Sequence, residues 1–88
     1  MATFLVDRDL PGASLADLAA AQHAAIEASE AAAAAGTPVR YLRSVFVPGE
    51  AHCMCLFEGP DAASVRKVND AAMLPYRRVT PAWDLPHP

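Results

Sequence analysis

Prolines and glycines cut this sequence into six segments that alternate between strand-like and helix-like patterning, and the order of those segments restricts the fold more than any other feature. Residues 3–7 (TFLVD) are β-prone and uncharged up to Asp7, and Leu10-Pro11-Gly12 ends that run. Ser14 opens a helix with Asp17 three residues on. In this capping-box arrangement the hydroxyl takes a free N–H and the carboxylate favours the positive helix end. The helix is predicted to run to about Ala35, with Leu15, Leu18, Ala19, Gln22, Ile26 and Ser29 on one stripe. Gly36 suits the left-handed C-terminal position, and Pro38 forbids continuation.

Residues 39–47 (VRYLRSVFV) read as a second strand, Pro48-Gly49-Glu50 as a turn and residues 51–58 (AHCMCLFE) as a third strand, so the two strands form a hairpin. Asp61 caps a second helix over residues 62–73, with Val65, Val68, Ala72 and Met73 turned inward. Pro75 ends it. Residues 76–80 (YRRVT) make a short fourth strand, which Pro81 ends or confines to a sheet edge. The expectation is one domain over residues 1–81 and an irregular tail over residues 82–88 that carries Trp83.

The order is β-α-β-β-α-β, the ferredoxin-like split βαβ pattern of the α+β class. Right-handed crossovers put both helices on one face of a four-stranded antiparallel sheet. The other face should then be polar, yet it is not. In the third strand one face carries His52, Met54, Leu56 and Glu58 and the other Cys53, Cys55 and Phe57. In the second, simple alternation puts Tyr41, Arg43 and Val45 together, opposite Leu42, Ser44 and Phe46, unless a bulge shifts the phase. Two apolar faces and one helical layer call for a second cover, and an identical subunit supplies it. The apolar fraction of 53% adds to that argument. Twenty of those residues are alanine, so the core is thin for 88 residues. A face-to-face homodimer is therefore expected.

Charge and composition narrow the function. The net charge is −3 with no basic stripe, which argues against nucleic acid. The longest uncharged apolar stretch, around residues 31–35, is far below the roughly 20 residues of a membrane span. The first nine residues carry two Asp and an Arg, unlike a signal peptide, so a soluble, cytoplasmic protein is expected. Two cysteines are too few for a disulfide scaffold. No nucleophile elbow, P-loop or dinucleotide fingerprint is present, so no nucleotide cofactor is expected.

The stretch FLVDRDLPG, residues 4–12, resembles the start of a small bacterial family of ferredoxin-like proteins with a nickel-binding designation. Residues 55–79, CLFEGPDAASVRKVNDAAMLPYRRV, resemble its C-terminal half in four features. These are a Cys-apolar-aromatic strand end, a Pro-Asp helix start, a Val-Arg on the helix and a Leu-Pro before the last strand. Ser44 stands where the family often has Ser, whereas Asn69 stands where many members carry His. The resemblance implies a dimeric α/β-barrel type of assembly and binding of nickel or another divalent transition metal.

The residues offer candidate donors of their own. His52 should face away from the cysteines. It is the leading metal ligand or general base, its plainer role being a hydrogen-bonded hairpin-end histidine. Glu58 shares its face and is a carboxylate candidate. Cys53 and Cys55 fall on one face about 6.5–7 Å apart in a flat strand, wider than the roughly 3.8 Å between two thiolates on one zinc. Each can still join ligands from elsewhere, or both serve as small buried apolar residues. His23, off the centre of the first helix's apolar stripe and otherwise a boundary or surface residue, completes the metal candidates. A ligand pocket is the second possibility, with Arg8 anchoring an anion and held by Asp7, and with Tyr41 and Arg43 beside it. Two functions follow. One is metal binding. The other is small-molecule binding or catalysis, isomerase- or monooxygenase-like, in a pocket of a few hundred Å³ on a sheet face.

Overall fold

A computed structural model describes all 88 residues. The elements are β1 (Ala2–Asp9), α1 (Leu15–Ala34), β2 (Arg40–Val47), β3 (His52–Gly59), α2 (Ala62–Ala71) and β4 (Arg78–Ala82), with a single 3-10 turn, Pro48–Glu50, inside the hairpin. The sheet order is β2-β3-β1-β4 and every pairing is antiparallel. Phe4, Val6, Cys53, Cys55 and Phe57 from the sheet pack with Ala25 of α1 and with Val65 and Val68 of α2, so both helices cover the same face. No helix is long and apolar enough to cross a membrane.

Local chemistry explains the helix ends. The Asp17 N–H donates to Ser14 Oγ at 3.1 Å and the Ser14 N–H returns to Asp17 Oδ2 at 2.9 Å, completing the capping box. The hydrogen bond from the Ser14 N–H, and then the Ser14 side chain, hold the Asp17 carboxyl below its ordinary range. At the far end Thr37 N–H reaches Ala32 O and Gly36 N–H reaches Ala33 O, a Schellman closure with Gly36 at φ +101°. The second helix closes the same way, Leu74 N–H to Asn69 O and Met73 N–H to Asp70 O. Here the left-handed residue is Met73, at φ 56°. Met73 is therefore 88% exposed, not inward as the periodicity suggested, while Leu74 folds back onto the core.

Two further expectations are corrected. The buried residues of α1 are Ala25 and Ser29, both in its second half, and Leu15 is 86% exposed. The predicted stripe does turn to the sheet side, Ser29 into the core and Leu15, Leu18, Ala19 and Gln22 onto a cavity beneath the helix, so what differs is the depth of burial. The helix packs through its C-terminal half, and its N-terminal half stands off the sheet. In β2, the register runs Tyr41 opposite Phe57 and then Arg43 opposite Leu56, so Leu42 is a bulge. Tyr41 consequently joins Ser44 and Phe46 on the helix-covered face, with its ring edge-on to Phe57 at 5.5 Å. Arg43 and Val45 turn to the open face, so Tyr41 and Arg43 do not share one. Pro81 lies within β4, an edge strand, which satisfies the restriction on its missing N–H.

The open face carries Leu5, Met54, Leu56 and Val47, all half-buried, with Val45 exposed. The chain beyond β4 lies against one end of it, around Thr3, Leu42 and Glu58, and Asp84 pairs with Arg43 on the opposite edge strand. Trp83 remains exposed there rather than packing on the sheet edge.

Candidate functional site

Pairing of β1 with β3 sets Asp9 opposite His52 and Asp7 opposite Met54, while β4 brings Arg78 opposite Asp7. Alternation aims Asp7, Asp9 and His52 to the open side of the sheet. His52 Nε2 lies 2.6 Å from Asp7 Oδ1, and His52 Nδ1 lies 3.4 Å from Asp9 Oδ1. Arg78 Nε donates to Asp7 Oδ2 at 3.1 Å, and Arg77 Nε sits 3.7 Å from Asp9 Oδ2. Asp7 is buried, and its Oδ1 accepts no aligned hydrogen bond even though the His52 ring touches it. The 2.6 Å separation is that of an imidazole–carboxylate pair, with Asp9 beside the other ring nitrogen.

The other candidates are spread out. Glu58 is at the far end of β3, paired with Arg40 at 3.3 Å. His23 is exposed on α1, paired with Glu27 one turn on at 2.9 Å. Arg43 is taken up by Asp84 within the same chain. Asp7 does not hold Arg8, because adjacent strand residues point to opposite faces. No group of three or more His, Cys, Asp or Glu side chains converges in a way that could hold a metal ion.

Behind the sheet lies a second arrangement. Arg8 is 1% exposed and donates to Asn69 Oδ1 at 2.7 Å and to Pro75 O at 3.0 Å. Asn69 is itself anchored through its Nδ2 donating to Val65 O at 2.9 Å. Asn69 thus lies in the interior, away from the His52 group. Cys53 Sγ and Cys55 Sγ approach to 3.8 Å. The distance expected from a flat strand is not kept, because side-chain rotation draws the sulfurs together. Burial, and then the neighbouring Cys55, push the Cys53 thiol up to about 11, so it is neutral at physiological pH and a poor metal ligand as it stands. A hydrogen-bond chain continues from there. Gln22 Nε2 donates to Tyr41 OH at 2.9 Å, Tyr41 and Ser44 share a bond of 2.7 Å, and Ser44 Oγ donates to Cys55 Sγ at 3.0 Å. The one Ser44 proton goes to sulfur, so Tyr41 is the donor to Ser44. Reading the sequence missed Asn69 as the holder of Arg8 and Gln22 as the partner of Tyr41. The charged run Asp7-Arg8-Asp9 resembles a solvated strand end, and strand alternation, which turns its middle member inward, was the available signal.

Strand order β2-β3-β1-β4 with both helices on one face defines a ferredoxin-like α+β domain. The chain belongs to the family of nickel-responsive SCO4226-like proteins, whose family model matches residues 4–81. Its fold is similar to that in the crystal structure of SCO4226 from Streptomyces coelicolor A3(2). The TM-score is 0.77 at 22% sequence identity, covering 89% of this chain and 91% of the other. No curated protein sequence matches it.

Proposed function

We propose that this protein is a homodimeric nickel-binding protein of its family, with His52 and Asp7 supplying the first two ligands. One observation carries the reading: a buried carboxylate oxygen, Asp7 Oδ1, without an aligned donor faces an imidazole nitrogen at 2.6 Å, and the pair has only to open slightly to admit a metal at ordinary bond lengths. Imidazole and carboxylate are donors that a divalent transition metal accepts, and Asp9 on the far ring nitrogen is the usual orienting partner of a metal-bound histidine. The donor set fits nickel in part. Two ligands from one chain leave the remaining positions to water or to a second copy. The apolar open face beside the site supports that second copy, since an uncovered patch of Leu5, Met54, Leu56 and Val45 is a natural subunit contact.

Calorimetric titration of the purified protein with nickel chloride, followed by metal analysis after desalting, tests the reading. Saturable micromolar binding that His52→Ala reduces in stoichiometry is expected. An absence of heat above background in that range would overturn it.

A further inference from the structure

The cavity under the N-terminal half of α1 has a volume of about 270 Å³, close to the lower end of small-ligand pockets. Its walls are largely apolar, from Leu10, Leu18, Phe46 and Leu74 among others, and the exposed Leu15 marks its opening. Two polar features interrupt them. One is the hydroxyl chain of Tyr41 and Ser44. The other is Arg8, a lining residue that is 1% exposed and whose guanidinium has no carboxylate partner anywhere in the chain.

A guanidinium carries five N–H donors, and the protein gives Arg8 two neutral acceptors, Asn69 Oδ1 and Pro75 O. A cation buried without a counter-charge is costly, and such charges in folded proteins are paired. The acids nearest in sequence cannot pair with it. Asp7 and Asp9 lie across the sheet and are engaged by Arg78, Arg77 and His52. Cys53 beside it stays protonated. The charge is therefore uncompensated within the chain, on a residue that borders a void with largely apolar walls.

We propose that this cavity is a binding site for small apolar monocarboxylates, with Arg8 pairing the carboxylate and Tyr41 and Ser44 bordering the apolar body. The cavity's size limits the ligand to one ring or a short alkyl chain. A dianion or a sugar acid would strand polar groups against leucine and alanine. The proposal does not rest on nickel or on the dimer, and it is tested with chelator present, so its failure and that of the metal reading are separable.

The experiment is a calorimetric and ¹⁵N-correlation titration of the whole protein with benzoate, phenylacetate and hexanoate, and with benzamide as the neutral isostere. Benzoate is expected to bind saturably, at least about tenfold more tightly than benzamide, with shifts confined to residues around Arg8, Ser44 and Leu18. Arg8→Met removes an uncompensated buried charge at similar volume and should fold, losing the preference for benzoate. Ala21→Phe fills the cavity from the α1 side and should abolish binding of both compounds. Should Arg8→Met not fold, Ala21→Phe and the benzoate-to-benzamide ratio decide the matter. Equal affinity for the two, no saturation by any carboxylate up to about 10 mM, or benzoate binding unchanged in a folded variant overturns the proposal.

Discussion

The Arg8 guanidinium donates to Asn69 Oδ1 at 2.7 Å, joining β1 to α2 through two fully buried polar side chains. The amide's other end donates to Val65 O, so Asn69 is fixed before it meets the cation. Truncating Asn69 to Ala removes an acceptor from a buried charged donor. The expected cost is about 2–3 kcal/mol in urea unfolding. Asn69→Asp instead gives Arg8 a counter-charge from within, and it should suppress any carboxylate binding in the cavity while leaving the protein folded. An Asn69→Ala variant of unchanged stability would mean that the contact contributes nothing.

Met73 occupies the left-handed position that closes α2, where glycine is the usual residue, and its side chain lies in solvent. Met73→Gly relieves the left-handed strain at the cost of a more flexible unfolded chain. The net expectation is a gain of about 0.5–1 kcal/mol, a rise of a few degrees in the thermal midpoint. Loss of stability on this substitution would show that Met73 packs against something in solution.

What was legible in the sequence was whatever depends on neighbours a few residues apart. The Ser14–Asp17 box, the Gly36 terminus and the alternation of Cys53, Cys55 and Phe57 against His52, Met54 and Leu56 are all of that kind. The rest depends on long-range register. The bulge at Leu42 has no proline or glycine to announce it, and it moves Tyr41 and Arg43 to opposite faces. The contact between His52 and Asp7 exists because β1 and β3 pair with Asp9 opposite His52, a register the local pattern does not specify. On α1 the stripe was legible, but not that its N-terminal half borders a cavity in place of packed core.

Leu56 sits on the open face, opposite Leu5 on one neighbouring strand and Arg43 on the other. If that face joins two copies, wild-type protein should elute with the mass of a dimer in light scattering. Leu56→Lys should then shift it to the monomer without unfolding it, because no core residue lies on that side. A wild-type monomer at about 100 μM, well above the usual dissociation constants of specific dimers, would remove the interface from the proposed function.

The Cys53 thiol gives the protein an alkaline signature. Burial pushes it from 9.0 in its ordinary state up to about 11, so between those two pH values the unfolded chain has released the proton and the folded chain still holds it. The unfolded state then binds fewer protons, and stability must fall as pH rises through that window. The contribution is complete below about pH 9, declines above it and is spent once the folded thiol also ionises near 11. Urea midpoints measured from pH 8 to pH 11 should drop accordingly, and Cys53→Ala, though less stable at pH 8, should show a flatter profile. Alkylation follows the same thiol: iodoacetamide at pH 8 should modify Cys53 far more slowly in the native protein than in urea. Equal rates in the two states would mean that this sulfur is open to solvent and ionises normally.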